Sequence, residues 1–160
     1  MAGAGQRAND AWEALLSAHA ALMKQFAAED IWAELSMREY DVLYTLSKCH
    51  EPARIGELNR HVLLSQPALS RLVHRLAGRG LIEFQSDPSD GRSVRASLTD
   101  AGLALQRQVG RRHARSVARA LTTALDRDDL RRLEGIGLAL ARQSAAFTDA
   151  EESNDNEETS

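Results

Sequence analysis

The sequence predicts a mainly α-helical fold with six helices and one small β-hairpin. Six segments repeat apolar residues at the spacing of an amphipathic helix. Between the fourth and fifth segments lie two short stretches, Leu81–Gln85 and Val94–Leu98, in which apolar and polar residues alternate as in half-buried strands. The connection at 88–91 reads Pro-Ser-Asp-Gly, a composition typical of a tight turn.

Charge is distributed unevenly along the chain. Residues 54–119 carry twelve arginines and five carboxylates, although the whole 160-residue chain has a net charge of −3. Residues 149–160 carry six carboxylates and no basic side chain. The basic segment indicates a surface for a polyanion. The acidic end is expected to be disordered, because it has too little apolar surface to bury.

Length and composition exclude several classes of protein. A chain of 160 residues is one domain's worth, and no apolar run approaches the roughly 18 residues of a membrane span. The N-terminal residues lack the apolar core of a secretory signal. The single cysteine, Cys49, rules out an internal disulfide and fits a reducing compartment. We therefore expect a cytoplasmic protein without a membrane partner.

Three helices are predicted in the first part of the chain. The first covers 8–28, where Ala11, Leu15, Leu22 and Phe26 recur at helical spacing. Ser36 and Glu39 form a capping box that begins the second helix, which buries Tyr40, Leu43 and Leu46 and ends before Pro52. A short third helix covers 54–62.

The fourth helix has the sharpest division between an apolar and a polar face. Ser65 is its expected N-cap, and Pro67 lies in the first turn, where a missing amide hydrogen costs nothing. The predicted buried stripe consists of Leu69, Leu72, Val73 and Leu76. The opposite face carries Gln66, Ser70, Arg71, His74 and Arg75.

Two long helices follow the hairpin. Thr99 caps the fifth, which lasts to about Leu125, and Asp126 caps the sixth, which ends near Phe147. In the sixth helix, apolar and small residues alternate in steps of three and four, as in the seam of a helix pair. These residues are Leu130, Leu133, Gly137, Leu140, Ser144 and Phe147. The seam favours packing against a second chain over packing within one domain.

A polar helix followed by a basic hairpin is typical of a winged helix-turn-helix that reads duplex DNA. Arg71 and Arg75 lie four residues apart on one helix face, suited to guanine edges and phosphates. Gln66 is suited to adenine, and Ser70 and His74 are expected to contact the DNA backbone. Ser65 and Pro67 are also expected among the DNA-binding residues. In the hairpin, Arg92 at the tip is expected to enter the minor groove, and Arg95 to meet a phosphate. Asp90 is expected to stabilise the turn instead of facing DNA.

The motifs of this region resemble those of the multiple antibiotic resistance regulator (MarR) family of bacterial transcription factors. They are Asp90-Gly91-Arg92, then Leu98-Thr99 with Gly102 three residues on, and the phrase from Ser70 to Ile82. The resemblance implies a homodimer with interlocked N- and C-terminal helices that binds a palindromic operator. It also implies a sequence-specific regulator, a ligand-responsive repressor whose DNA affinity falls when a small ligand binds.

The resemblance implies a division of the chain into four parts. Residues 1–35 form an N-terminal dimerisation helix and connection, and 36–99 the winged helix-turn-helix domain. Residues 100–148 form the C-terminal dimerisation helices, and 149–160 the disordered acidic tail. The family's ligand cleft lies where the dimer stem joins the winged domain. Here that junction is expected to gather His19, Met23, Trp32, Tyr40 and Tyr44, which suit a small aromatic or phenolic effector.

Two alternatives remain open at this stage. Oxidation of Cys49 is a second way to switch the protein, and a winged helix can also serve as a protein-interaction module. The five histidines show no metal-ligand spacing, and no nucleophile, phosphate-loop or metalloprotease motif occurs. We therefore expect no metal, no cofactor and no enzymatic activity.

Overall fold

The computed structural model describes the backbone of residues 2–157 and the side chains of residues 3–143. The chain divides into two compact units, Met1–Ser116 and Val117–Ser160. The helices are α1 (Ala2–Ala27), α2 (Met37–Lys48), α3 (Ile55–Asn59), α4 (Gln66–Gly78), α5 (Asp100–Ala124) and α6 (Arg127–Glu157). The strands are β1 (Ala53–Arg54), β2 (Ile82–Asp87) and β3 (Asp90–Leu98). Six helices and a small hairpin confirm the predicted fold class.

The β structure is larger than the predicted two-stranded ribbon. The sheet has three antiparallel strands in the order β1-β3-β2. The additional strand pairs Ala53 with Ala96 and Arg54 with Arg95. A strand of two residues has no detectable alternation, so the sequence assigned Arg54 to the third helix. That helix accordingly begins at Ile55 and ends at Asn59 instead of covering 54–62.

Two outer helix boundaries also differ from the prediction. Helix α1 begins at Ala2, before the expected start at Ala8, and α6 continues past the expected end near Phe147 to Glu157. Neither end carries a proline to stop the helix, and apolar periodicity marks only the part of a helix that packs. The side chains of Ser144 and Phe147 lie outside those described. The expected disorder of 149–160 stays a prediction.

The core of the first unit lies between α2, α3, α4, α5 and the sheet. The predicted stripe of α4 is buried in full, with Leu69, Val73 and Leu76 at 0% exposure. Helix α4 contacts α2, α3 and β2. The other buried residues of this core include Val42, Leu43 and Leu46 of α2, Leu58 of α3, Ile82 and Ala96 of the sheet, and Val109 of α5. Burying each large side chain contributes about 1.5–3 kcal/mol. The apolar face of α4 thereby fixes which of its faces points outward.

The predicted helix caps are present. Glu39 N donates to Ser36 Oγ (3.2 Å), and Ser36 N donates to the Glu39 carboxylate (2.7 Å), which completes the capping box of α2. Gly102 N donates to Thr99 Oγ1 at α5 (3.0 Å), and Asp128 N and Asp129 N donate to the Asp126 carboxylate at α6. Ser65 is the N-cap of α4 by position, but its side chain makes no capping hydrogen bond.

The segments that connect α4 to β2 and β3 to α5 pack tightly against each other. Gly80 has a φ of 73°, a left-handed conformation that glycine adopts without strain. Thr99 Oγ1 donates to Gly80 O (2.7 Å), and Thr99 N donates to Leu81 O (3.2 Å). A Cβ on Gly102 would lie 2.0 Å from Leu81 O, so this position admits only glycine. The base of the hairpin is therefore locked between two helices.

The second unit contains the end of α5 and the whole of α6. Several large apolar side chains of α6 are exposed in the single chain: Leu133 (43%), Ile136 (59%), Leu138 (52%) and Leu140 (52%). Ion pairs between Arg131 and Asp128 and between Arg132 and Asp129 lie on its first turn and beyond. No helix within residues 2–157 combines the length and apolar character that crossing a bilayer requires.

Candidate nucleic-acid interface

The outward face of α4 carries polar side chains opposite the buried stripe. Ser65, Gln66 and Pro67 are exposed at its N-terminal end, Ser70 is half-buried, and Arg71, His74 and Arg75 are exposed. Within the described part of the chain, the guanidinium of Arg71 has no hydrogen-bond or ion-pair partner. An exposed guanidinium on a rigidly packed helix can donate two hydrogen bonds to O6 and N7 of a guanine, or to a phosphate.

Arg75 differs from Arg71 because a carboxylate holds it. Its Nε lies 3.5 Å from Glu39 Oε1, and its side chain remains 60% exposed. Arg79, one turn further along α4, approaches the same oxygen at 3.3 Å and also donates to Glu34 O (3.0 Å). Burial alone would raise the pKa of the Glu39 carboxyl. The hydrogen bonds from Ser36, the charge of Arg79 and the bond from Arg75 outweigh burial and lower that pKa.

His74 connects the outward face of α4 to the hairpin. Its ring lies 4.9 Å from the ring of Phe84 on β2, centre to centre, at an angle of 43°. This packing engages one face of the imidazole with the sheet. The contact holds the hairpin beside the exposed face of α4.

The hairpin is organised by one buried carboxylate, Asp87, whose side chain is fully shielded from solvent. Arg54 Nε of β1 lies 2.6 Å from Asp87 Oδ2, and Arg95 Nε of β3 lies 3.1 Å from the same oxygen. The other oxygen accepts from Ser89 N (2.9 Å) and Ser89 Oγ (2.8 Å). The hydrogen bond from Arg54, then those from Ser89 and Arg95, hold the pKa of Asp87 well below its usual range despite burial.

Asp90 bonds only within the hairpin. Its carboxylate accepts from Arg92 N (3.1 Å) and from Ser93 Oγ (2.6 Å). These hydrogen bonds, that from Ser93 first, lower the pKa of Asp90. The Asp90 carboxylate therefore has its hydrogen-bond partners within the hairpin, and it stabilises the start of β3, which carries Arg92.

The two arginines expected to meet DNA from the hairpin have different surroundings. Arg92 is exposed, and its guanidinium has no partner among the described residues. It lies on β3, three residues after Ser89 of the turn, and not at the tip itself. Arg95 is paired with Asp87, donates to Pro52 O (3.1 Å) and has a side chain only 27% exposed. Asp87 therefore draws Arg95 into the sheet, which disfavours the phosphate contact that the sequence predicts.

Sequence reasoning missed Arg54 and the role of Asp87. Arg54 Nη2 also donates to Ser89 Oγ (3.0 Å), so it bonds to the turn from the opposite edge of the sheet. The only signal in the sequence was an acidic residue directly before a Pro-Ser turn, a position where a side chain often bonds to backbone amides. Its partner Arg54 lies 33 residues away, too far along the chain for a local pattern to reveal.

A separate cleft of about 740 Å³ lies in the first unit, within the range of small-molecule sites. Its walls include His19 and Met23 of α1 and Tyr44 of α2, three of the five residues predicted to line a pocket. A polar stripe of α2 also faces it, formed by Arg38, Asp41, Thr45 and Lys48. Burial raises the pKa of Asp41, and the charge of His113 opposes this shift. The segment 61–64 completes the lining.

The other two predicted pocket residues, Trp32 and Tyr40, belong to the core. Trp32 Nε1 donates to Phe26 O (2.9 Å), and its ring lies 5.0 Å from that of His113, centre to centre. The rings of Phe26 and Tyr40 lie 5.1 and 5.5 Å from the same imidazole. Burial lowers the pKa of His113, and Asp41 and Glu29 oppose the shift. The tryptophan can be buried here because its indole N–H donates to a backbone carbonyl.

Cys49 is exposed at the end of α2 and lines the same cleft. Burial of the thiol, and then the charge of Glu57, raise its pKa. A reactive thiol needs a lowered pKa, so these surroundings favour the uncharged thiol over the thiolate that reacts with oxidants.

The helix pair α3–α4 with the adjoining three-stranded sheet defines a winged helix-turn-helix protein. Residues 35–94 match the sequence model of the MarR family. The HTH-type transcriptional repressor NicR from Pseudomonas putida is 31% identical over 87 residues, covering 54% of this chain and 52% of that protein. The chain spans about half the length of the curated relatives it matches.

Two solved structures from Streptomyces coelicolor extend the likeness. AbsC, a MarR family transcriptional regulator, matches with a TM-score of 0.73 and 27% identity over 86% of this chain and 94% of that one. PcaV, a transcriptional regulator solved in complex with its natural ligand, matches with a TM-score of 0.59 and 28% identity over 90% and 92%. The chain is therefore similar to MarR family proteins in the sequence of residues 35–94 and in its fold.

Replacing Asp87 with asparagine should lower the melting temperature at neutral pH by several degrees and weaken the acid dependence of stability. The folded pKa of Asp87 lies below the unfolded value of about 3.9, so its contribution exists above that pH and is lost as pH falls further. Thermal melts from pH 7 down to acid conditions measure this. Asp128→Asn, which breaks an exposed pair, is the matched control and should change stability by less than about 0.5 kcal/mol. Equal effects of the two substitutions would contradict the role of Asp87.

Proposed function

We propose that this protein is a sequence-specific DNA-binding transcriptional regulator, acting as a ligand-responsive dimeric repressor. The observation that carries the proposal is the exposed face of α4, where Arg71 is unpaired and Arg75 is held by a carboxylate beside an arginine-bearing wing. The description of the relative NicR as an HTH-type transcriptional repressor supports this class.

In this proposal α4 enters the major groove with its N-terminal end foremost. Gln66 near that end is suited to an adenine edge, and Arg71 to a guanine or a phosphate. Ser65 and Ser70 are placed to hydrogen-bond the DNA backbone, which fixes the register of the helix without reading sequence. The buried stripe of α4 keeps these side chains in one orientation, so little freedom is lost on binding.

The wing provides a second contact. A narrow minor groove concentrates negative potential, and the unpartnered guanidinium of Arg92 is suited to it. Asp90 and Asp87 act within the protein, the first by closing the turn and the second by holding the strands together. Arg95 supports the wing through Asp87 instead of meeting a phosphate directly.

A homodimer would supply two reading helices related by a two-fold axis, about 34–36 Å apart, and hence a palindromic operator. Exposed apolar side chains of α6 and α1 support this assembly. Those of α1 are Trp12 (58%), Leu15 (43%) and Leu16 (47%). The predicted seam of α6 includes Leu133, which is also exposed in the single chain. Surfaces of this kind are unusual on a monomer and mark a protein interface.

The cleft between α1, α2 and the segment 61–64 is the proposed effector site. Its apolar bodies and polar stripe suit a small aromatic or phenolic ligand, and the crystal structure of the relative PcaV contains that protein's natural ligand. A ligand acts only through a difference in affinity between two states. By binding more tightly to a dimer whose wings are wrongly spaced, it would withdraw protein from DNA.

Arg71→Ala should weaken binding to a duplex that the wild type selects from a randomised library, by about 1–3 kcal/mol. The loss is expected because no other described residue takes over its contact. Relaxed sequence preference would indicate base reading, and a uniform loss on all duplexes would indicate a phosphate contact. Arg142→Ala removes the same charge from α6 and serves as the control. Fluorescence anisotropy at fixed salt measures the affinities. Wild-type affinity in the Arg71→Ala variant, equal to that of the control, would contradict the proposal.

Leu133→Glu should convert the dimer to a monomer and abolish binding to the selected duplex at the same time. A buried carboxylate on each side of a two-fold seam is strongly unfavourable, because neither is paired. Ala139→Glu adds the same charge at a neighbouring exposed position outside the seam. Analytical ultracentrifugation gives the assembly state. A dimeric Leu133→Glu variant, or a monomeric wild type at micromolar concentration, would refute the interface.

A panel of benzoate, hydroxybenzoates and phenols should include a compound that raises the melting temperature and releases the selected duplex. Met23→Trp fills the cleft and should abolish both effects while leaving DNA affinity unchanged. Gln25→Trp places the same side chain on an exposed turn of α1 and is the control. If Met23→Trp responds to the compound like the wild type, the effector binds elsewhere. If no compound in the panel has either effect, the proposed ligand class is wrong.

A further inference from the structure

Glu39 makes more contacts than a helix cap requires. It is buried to 8% exposure at the start of α2, and one carboxylate oxygen accepts from Ser36 N at 2.7 Å. That bond completes the capping box. The other oxygen faces α4, where Arg79 and Arg75 approach it at 3.3 and 3.5 Å. The second oxygen therefore connects α2 to two arginines that lie 36 and 40 residues after Glu39 in the sequence.

The negative charge of Glu39 is not needed for the cap. A glutamine at this position of a capping box accepts the same backbone hydrogen bond. A buried carboxylate also loses hydration, and its neighbours must compensate for that loss. The two guanidinium groups of α4 provide this compensation, so the charge is explained by α4 and not by α2.

The contact leaves the distal part of Arg75 available. Glu39 engages Nε, while the two terminal nitrogens of Arg75 have no partner among the described residues. The side chain is 60% exposed, so the terminal fork is open to solvent. A guanidinium held at one edge loses fewer rotamers when its fork binds a flat partner.

Arg79 keeps the carboxylate itself in place. Its Nη1 bonds Glu39, its Nη2 donates to Glu34 O at 3.0 Å, and its side chain is only 32% exposed. Arg71, Arg75 and Arg79 are spaced by four, with Arg79 at the C-cap of α4. Arg71 has no partner among the described residues, Arg75 is held at one edge, and Arg79 is an internal anchor.

We propose that Glu39 is a positioning residue for DNA reading, which orients Arg75 so that its terminal fork meets a base edge in the major groove. This inference rests on the proposed DNA-binding function and adds the source of its sequence discrimination. A guanidinium free to rotate would bind phosphates of any sequence, whereas one fixed at Nε favours a bidentate partner in one place. The sequence preference at that base step then depends on a residue that touches no DNA.

The test is a double-mutant cycle with Glu39→Gln, Arg75→Ala and the combined variant. Affinity is measured for a duplex selected by the wild type and for a scrambled duplex of the same composition. Glu39→Gln keeps the cap and should lower affinity for the selected duplex about tenfold, with the scrambled duplex unchanged or bound more tightly. In the Arg75→Ala background the same substitution should change the affinity less than about twofold.

Control variants and melting curves separate this role from a structural one. Ser36→Ala removes the other half of the capping box but keeps the charge, so it should lower the melting temperature without changing discrimination between the two duplexes. Equal losses from Glu39→Gln in both backgrounds would overturn the inference. So would an equal gain in affinity for both duplexes, which a simple loss of negative charge near DNA predicts. A wild type that enriches no duplex would overturn the proposed function, and this inference with it.

Discussion

The wing depends on the buried carboxylate of Asp87. Strand β1 has only two residues, and two ladder pairs are too few to hold a strand without further support. Arg54 from β1 and Arg95 from β3 meet on Asp87 at the end of β2, and Ser89 of the turn bonds to its other oxygen. Removing one partner of such a set leaves buried charge unpaired, which is strongly unfavourable. This cluster joins all three strands of the wing, including β3, which carries the exposed Arg92.

A second shielded carboxylate bonded by two arginines lies between α2 and α4. Glu39 bonds Arg75 and Arg79 much as Asp87 bonds Arg54 and Arg95. In both clusters a shielded carboxylate determines how far an arginine can extend toward solvent. The arginines of α4 and the wing are therefore of two kinds. Arg71 and Arg92 have no partner among the described residues, and the two carboxylates hold the rest: Arg54, Arg75, Arg79 and Arg95. Helix α2 contributes to both sides of the proposed mechanism, since its polar stripe lines the cleft while Glu39 contacts α4.

The sequence predicted the features that depend on local patterns. The capping box of Ser36, the caps at Thr99 and Asp126, and the buried stripe of α4 each involve residues within a few positions of one another. The clusters of Asp87 and Glu39 could not be predicted in this way, because each joins distant parts of the chain: Arg54 lies 33 residues from Asp87, and Arg75 and Arg79 lie 36 and 40 residues from Glu39. The strand β1 was missed for the same reason: its identity comes from pairing with β3 and not from its two residues.

The five residues predicted to line a pocket are divided between the cleft and the core. Trp32 and Tyr40 have the amphipathic rings expected of a ligand site, yet both pack around His113 in the core. His19, Met23 and Tyr44 line the cleft. Composition does not distinguish the two groups, because apolar bodies with a polar tip suit either a ligand or a buried hydrogen-bond acceptor. Only the packing of α1 and α2 decides which side chains face the cleft.

In the proposed complex, α4 reads the major groove while the wing contacts the adjacent minor groove. Dimethyl sulfate footprinting of the duplex selected by the wild type tests it directly, since the reagent methylates guanine N7 in the major groove and adenine N3 in the minor groove. The bound dimer is expected to protect guanine N7 positions in two segments about one helical turn apart, each flanked by protected adenine N3 positions. Protection confined to the minor groove, or none in the major groove, would contradict it.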